Sequence, residues 1–383
     1  VSGLPDSIRR HLGVCAGKEQ GWTDVQIVMP IVLLNVAGGN CVDDLRVLEG
    51  DQGFVRVLRR VELHRMKRRV RREQERRWRK QRKRAVPSPT VVFRYLDVFH
   101  NGAEEAKRVA GHAFIPAPNG HLQGLIRVNE DFLCFAQQKS PETEATLDQD
   151  ASVVGCYKEE ALFCYRGNKA YQPLNTYWAE QGMVVHSEFR DGNVPAGYQN
   201  LRVLQAAVMV LPEGVVKVYF RSDTASYQEE LLRYCAEGKN ERFGVIEFAV
   251  GVDVTPEFKR AVAEVEEGEW HCLEREVEGR KVKTGQEWAE VCFVPNWAAR
   301  SKKGPTYRFL AIREPLEQAE MPGMEAQLPF PTMIFGQRRH KLFGVVTNRD
   351  IPGDKLIWWY RERCGKGEEM HAIMKEDLAG GHL

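Results

Sequence analysis

The sequence lacks any apolar run long enough to cross a membrane. Its longest apolar stretch, Val25 to Ala37, contains Pro30 and is much shorter than the roughly 20 residues that a spanning helix needs. No segment near the first residue has the pattern of a secretory signal peptide. These absences argue against an integral membrane protein and predict a cytoplasmic one.

Paired cysteines are also lacking. The nine cysteines are odd in number, are scattered along the chain and never form a Cys-x-x-Cys pair. Secreted disulfide frameworks and structural zinc sites depend on even-numbered or closely spaced cysteines. The pattern favours neither of them, and it fits a reducing compartment.

Charge, by contrast, is present in quantity and is unevenly distributed. The 383 residues carry a net charge of only +2. Between Arg56 and Arg84, sixteen Lys or Arg stand against three Glu, which is +13, so the rest of the chain sums to −11. Such asymmetry indicates the charge of a partner rather than a fold. We call residues 56–84 the basic arm.

The basic arm has three interpretations. Its cations recur on every face of a helix and leave no apolar stripe, so insertion into an acidic membrane surface is disfavoured. A solvated, partly disordered arm stays open. The favoured interpretation is a helix or linker along DNA phosphates, where each neutralised phosphate releases counterions. The candidate DNA-binding residues in the arm are Arg68, Arg69, Arg71 and Arg72.

Segments on both sides of the arm predict helices. Residues 22–51 hold two short apolar segments broken by Gly38 and Gly39. After the arm, Ser88 is a candidate helix cap and Pro89 suits the first helical turn. We therefore predict a helical, basic DNA-binding region at 1–140.

Strand patterns replace helical ones after residue 140. The periodicity predicts a strand at 145–154, a hairpin at 170–193 that turns near 180–182, a helix at 199–211 and a strand at 215–223. Three antiparallel strands, a helix and a strand parallel to the first are the beginning of an RNase H-like core. The predicted fold class is α/β, with the first part of this core at 141–251.

One aspartate, Asp150, lies within the first of these strands, and another, Asp223, ends the last. If the two strands are neighbours, about 4.8 Å apart, Asp150 and Asp223 point at one place. Convergent carboxylates repel each other unless a cation lies between them, and oxygen ligands of this kind suit Mg²⁺. Helix capping is the alternative role for Asp223. Asp148 lies on the same strand face as Asp150 and is its rival.

The C-terminal stretch offers a third carboxylate in a recognisable spacing. Tyr360, Arg363, Glu368 and Lys375 form Tyr-x2-Arg-x4-Glu-x6-Lys. With one extra residue before the Glu, this resembles the Tyr-x2-Arg-x3-Glu-x6-Lys signature of cut-and-paste transposases from bacterial insertion sequences. The extra residue leaves Glu369 as a rival for Glu368. Residues 40–100, 145–195 and 345–383 resemble one group of these enzymes, the thirteen-eighty group.

The resemblance implies a DDE transposase. Its catalytic and metal-binding triad would be Asp150, Asp223 and Glu368, holding two Mg²⁺ ions, for which Mn²⁺ could substitute, on either side of a scissile phosphate. Such an enzyme binds the terminal inverted repeats of a transposon, cleaves the ends and joins their 3′-hydroxyls to target DNA. The remaining signature residues, Tyr360, Arg363 and Lys375, would contact DNA phosphates.

The resemblance also implies an architecture and partners. A β-rich insertion domain would occupy 252–349, and residues 350–383 would return to the core as the helix that carries Glu368. In the insertion, Trp288 and Trp297 are candidates for stacking on a flipped base, although core packing is the commoner role. The implied partners are double-stranded DNA (transposon ends and target) and a second copy in a homodimer, with no membrane. The implied location is the cytoplasm of a bacterium, at the nucleoid.

Two other classes of function remain open from the sequence. One is a metal-dependent nuclease that cuts DNA without strand transfer. The other is a transposase-derived DNA-binding protein without catalysis, because a motif alone does not establish an assembled site.

Overall fold

The first part of the chain is helical. The computed structural model describes residues 2–16, 21–39, 41–81, 84–299, 307–316 and 328–372. Its first helices are α1 (Leu4–His11), α2 (Asp24–Val36), α3 (Leu45–Glu49), α4 (Gln52–Glu62), α5 (Arg68–Gln81), α6 (Pro89–Asp97), α7 (Gly102–Glu105) and α8 (Gly120–Lys139). Helix α6 begins at Pro89, directly after Ser88, as the sequence predicts, but the Ser88 side chain makes no capping hydrogen bond. Among the described helices, none combines the length and the apolar character of a membrane span.

Local hydrogen bonds and an apolar core hold these helices together. Thr23 and Gln26 form a capping box at the start of α2, which satisfies backbone N–H groups that the helix itself leaves unpaired. The buried Tyr95 hydroxyl donates to Asp24 at 2.8 Å and so ties α6 to α2. Around these contacts, apolar side chains from α2, α3, α4 and α6 share one core, among them Ile27, Leu34, Leu45, Leu58 and Val92.

The second part of the chain is built around one large mixed sheet. Its elements begin with β1 (Glu144–Ala151), β2 (Val154–Gly155), β3 (Ala170–Tyr171), β4 (Leu174–Trp178), β5 (Met183–Glu188), α9 (Asn200–Met209), β6 (Lys217–Ser222), α10 (Glu229–Ala236) and β7 (Glu247–Val252). In space the sheet runs β5-β4-β1-β6-β7. Strand β1 is antiparallel to β4 and parallel to β6, and β6 is parallel to β7. The strands predicted at 145–154 and 215–223, which are β1 and β6, are therefore neighbours in the sheet.

The remaining strands continue the same sheet. They belong to the elements α11 (Pro256–Ala263), β8 (His271–Val277), β9 (Arg280–Val291), α12 (Asn296–Ala299), β10 (Arg308–Pro315), β11 (Thr332–Phe335), β12 (Arg338–Thr347) and α13 (Gly353–Ala372). Strand β12 pairs with β7, and β10, β9 and β8 follow it in order. Helix α13 then returns to pack on β1, β6, β7 and β9. The division of the chain into domains stays a prediction.

One helix begins later than the sequence predicts. The pattern after Asp223 suggests a helix that starts at once, but a 3-10 turn, Thr224–Ser226, comes first and α10 begins at Glu229. The reason is local, because the Asp223 carboxylate accepts a hydrogen bond from the N–H of Ala225 at 3.0 Å and so closes a tight turn. Gln228, which is extended, separates that turn from the helix.

Gly353 lets α13 begin close against β9. A Cβ at Gly353 would lie 2.2 Å from the Trp288 ring, whereas a Cβ at Gly365, in the same helix, would meet nothing within 4 Å. We expect Gly353→Ala to lower the free energy of unfolding by about 1–3 kcal/mol through overpacking. Gly365→Ala is the matched control and should raise it by about 0.5–1 kcal/mol, because Ala favours helix over Gly. Urea unfolding measures both effects, and a Gly353→Ala protein as stable as the wild type would contradict this packing.

Candidate active site

Two predicted site residues meet at one edge of the sheet. Gln149 of β1 lies opposite Ser222 of β6 in the parallel register. Asp150 and Asp223 are the next residues along their strands, and both line a cavity of about 520 Å³. Because carboxyl ends of neighbouring parallel strands emerge side by side, the convergence follows from the strand pairing alone.

Asp223 also performs the capping role that was its alternative. Its Oδ1 accepts the hydrogen bond from the Ala225 N–H that closes the turn after β6. This bond holds the carboxylate against the backbone at the rim of the cavity. Capping and a role in the cavity are therefore compatible in this geometry, since one carboxylate can accept several bonds.

A third carboxylate in the cavity was missed by the sequence analysis. Asp253 directly follows β7 and lines the same cavity as Asp150 and Asp223. Burial, together with the negative charge of Asp223, raises the pKa of Asp253. The sequence pattern that could have identified it is an aspartate directly after an apolar strand, which Asp253 shares with Asp223.

Helix α13 brings one signature residue, Arg363, beside Asp150 and another, Tyr360, against β7. The Arg363 Nη1 lies 4.0 Å from the Asp150 Oδ2, and the Arg363 side chain is only 13% exposed. Burial acts to lower the pKa of Arg363, but Tyr360 and Cys364, followed by Asp150 and Asp223, hold it above its usual value. The Tyr360 hydroxyl lies against Gly251 of β7, where an added Cβ would be 3.0 Å away. Arg363 is thus a cation held against the acidic residues.

Asp148, the rival of Asp150, has another partner. Its two carboxylate oxygens accept hydrogen bonds of 2.6 and 2.8 Å from Arg221, the residue directly opposite it on β6. Asp148 is 3% exposed and is not among the residues that line the cavity. This geometry favours Asp150 as the cavity-facing member of the pair.

The structure leaves part of the predicted ligand set untested. Glu368 and Glu369 lie in α13, but their side chains are outside the described part, and Lys375 is outside the described residues altogether. Within the described part, no three His, Cys, Asp or Glu side chains lie close enough together to hold a metal ion. The cavity itself offers carboxylate oxygens, the donors that Mg²⁺ prefers.

The predicted DNA-contacting groups differ in their surroundings. Arg68, Arg69, Arg71 and Arg72 are all exposed on α5. Trp288 packs against the start of α13 and Trp297 against Tyr307. Both tryptophans are partly buried against core residues, which agrees with the packing role.

The raised pKa of Asp253 predicts a stability effect that depends on pH. A carboxyl whose pKa is higher in the folded than in the unfolded state destabilises the fold as pH rises from about 3.9, the usual Asp value, through the folded pKa. Asp253→Asn removes this cost. We expect the variant to melt at a higher temperature than the wild type at pH 7, with the difference vanishing near pH 3. Melting curves in EDTA test this, and an equal difference at both pH values would contradict it.

Comparison with known proteins shows which family this chain belongs to. Residues 21–309 match the family model described as "Transposase DDE domain group 1". No curated protein matches the chain. Among solved structures, the chain is similar to the piggyBac transposase synaptic complex with hairpin DNA, at 9% identity and a TM-score of 0.43, over 98% of this chain and 67% of that one. Because the family match covers well over half of the sequence, this chain belongs to the DDE transposase family, domain group 1.

Proposed function

We propose that the chain is a DNA transposase whose active site is the cavity between Asp150 and Asp223. The observation that carries the proposal is their position at the carboxyl ends of two neighbouring parallel strands, on one cavity. Family membership supports transposition as the reaction. The Tyr-x2-Arg-x4-Glu-x6-Lys spacing supports the finer assignment to transposases of bacterial insertion sequences, which work in the cytoplasm at the nucleoid.

The sheet supports an RNase H-like core as the scaffold. Strands β5, β4, β1, β6 and β7 lie in that order, with the first three antiparallel and the last two parallel to β1. Helix α9 joins the antiparallel part to β6, as the sequence predicts. In this proposal the strands between residues 271 and 347 are an insertion, after which α13 completes the core.

Carboxylates would hold the metal ions that such a reaction needs. We assign this role to Asp150, Asp223 and Glu368, with Asp253 adding negative charge beside Asp223. Bound Mg²⁺ supplies activation of an attacking water or 3′-hydroxyl and stabilisation of the leaving oxygen. Arg363, held 4.0 Å from Asp150, keeps a positive charge beside the carboxylates, and the Tyr360 hydroxyl lies against Gly251 of β7.

DNA would be bound by positive charge outside the cavity. The exposed cations of α5 suit the phosphates of the transposon end or of the target, and Arg363 and Lys375 suit phosphates close to the cut. Contacts of this kind position the duplex without reading its sequence. Since a transposon has two ends that must be joined together, a homodimer is the assembly that this proposal implies.

A single assay separates the three candidate functions. Labelled duplexes that carry the inverted repeats flanking the gene are incubated with the protein, Mg²⁺ and a target plasmid. A transposase cuts the ends and then joins them to the plasmid, a nuclease only cuts, and an inactive DNA-binding protein only retards the duplex. We expect cutting followed by joining, and retardation without cutting would contradict the proposed function.

A further inference from the structure

Arg221 and Asp148 form a buried pair directly beneath the proposed active site. They are opposite each other in the β1–β6 register, and each stands two residues before a proposed metal ligand, Asp223 and Asp150. Alternate residues of a strand share a face. The pair therefore lies on the same face of the sheet as the two carboxylates, two residues before them along each strand. Both side chains are almost completely buried, at 1% and 2% exposure.

The Arg221 guanidinium also contacts helix α13. Its Nη1 donates to the backbone carbonyl of Trp359 and lies 3.1 Å from a carboxylate oxygen of Glu362. The guanidinium carbon also lies 5.1 Å from the centre of the Trp359 ring. Nε and Nη2 are used by Asp148, so all three nitrogens of the guanidinium are engaged.

We propose that Arg221 is a positioning residue that fixes the three elements of the metal site relative to one another. Strand β1 carries Asp150, β6 leads into Asp223 and α13 carries Glu368, and the guanidinium of Arg221, a residue of β6, contacts both β1 and α13. The proposal rests on the proposed function, because it assumes that these three carboxylates act together. It assigns Asp148 a structural role and leaves metal binding to Asp150.

Only arginine suits this position. Its planar fork offers five N–H donors with fixed directions, whereas lysine offers one ammonium on a flexible stem. Lysine at 221 could satisfy Asp148 or the Trp359 carbonyl, but it could not hold both in the same plane. Residues that orient metal ligands without touching the metal commonly change metal affinity or activity about 10- to 100-fold when replaced.

The test compares Arg221→Lys with Arg313→Lys, a matched control in another part of the sheet. Arg313 of β10 is also almost fully buried, donates to Glu287 and Glu267 at 2.8 and 2.9 Å, and lies 4.2 Å from the Trp270 ring centre. Strands β7 and β12 separate β10 from β6. Arg313→Lys therefore reproduces the loss of a buried Arg fork without touching the proposed site.

We expect Arg221→Lys to bind Mn²⁺ about 10- to 100-fold more weakly than the wild type, as measured by electron paramagnetic resonance without DNA. Its single-turnover cleavage of end DNA should fall by a similar factor while the Kd for DNA stays unchanged. Arg313→Lys should lower the melting temperature but keep wild-type Mn²⁺ affinity and cleavage per folded molecule. Asp148→Asn keeps the shape of the side chain and removes its charge. It should show the same losses as Arg221→Lys, and it provides the test if Arg221→Lys does not fold.

Two results would overturn this inference while leaving the proposed function intact. One is wild-type Mn²⁺ affinity and cleavage in Arg221→Lys or Asp148→Asn. The other is an equal loss in Arg221→Lys and Arg313→Lys, which would mean that both arginines act through stability alone. A wild-type protein that neither binds Mn²⁺ nor cleaves end DNA would instead contradict the proposed function itself.

Discussion

A protein with Ala in place of Asp223 should cut end DNA at least about 10³-fold more slowly than the wild type, since metal-ion stabilisation of the transition state contributes several kcal/mol. Its affinity for the same DNA should be unchanged, because the carboxylate serves the metal rather than the phosphates. Single-turnover cleavage of a labelled terminal-repeat duplex in Mg²⁺ gives the rate, and a gel-shift titration gives the affinity.

Companion variants make this result specific. Asp150→Ala and Glu368→Ala should lose cleavage in the same way. Asp354→Ala removes a carboxylate from the first turn of α13, away from the cavity lining, and should cut at the wild-type rate. Full activity of Asp223→Ala would contradict the assignment of the site. An active Glu368→Ala protein with an inactive Glu369→Ala protein would change only the choice within that pair.

The second large effect is expected in the salt dependence of DNA binding. If α5 lies on phosphates, replacing Arg68, Arg69, Arg71 and Arg72 by Ala should weaken binding to any duplex. The slope of log K against log salt should flatten by about 0.9 for each phosphate contact that is lost. With six to ten contacts, the wild type should lose roughly 10³ to 10⁵ in affinity between 50 and 200 mM salt. Titrations of terminal-repeat and random duplexes at three salt concentrations measure the slopes.

The control for the arm is a cation on another surface. Arg260 of α11 has a side chain 74% exposed, so Arg260→Ala removes a solvated charge and should leave the slope nearly unchanged. The fourfold variant should lose affinity for both duplexes equally, because phosphate contacts carry no sequence information. An unchanged slope in the fourfold variant would mean that the basic arm is simply solvated.

The meeting of Asp150 and Asp223 was predictable because it follows from short-range patterns. Alternation of apolar and polar residues located β1, a run of apolar and aromatic residues located β6, and the order of strands and helix restricted their pairing to a parallel one. Once the strands were neighbours, the two carboxylates at their ends had to converge. The choice between Asp148 and Asp150 was not predictable in this way, because both lie on the same strand face.

What the sequence could not provide was the set of contacts between distant segments. Arg221 is a single charged residue near the end of an apolar strand. Its hydrogen bonds to Asp148 and Trp359 depend on the register between β1 and β6 and on the placement of α13. Asp253 follows the apolar strand β7 in the same way as Asp223 follows β6, so the same strand-end pattern points to it. The later start of α10 reflects a side-chain bond of Asp223, a local competition that helical periodicity does not reveal.

The most direct test of the central claim is a change of metal specificity at Asp223. A thiolate is a poor ligand for Mg²⁺ but an acceptable one for softer divalent ions. If Asp223 binds the catalytic metal, Asp223→Cys should be inactive on terminal-repeat DNA in Mg²⁺ and should recover cleavage in Mn²⁺, whereas Asp223→Ala should stay inactive in both. Cleavage by Asp223→Cys at the wild-type rate in Mg²⁺ would contradict the claim that this carboxylate holds the metal.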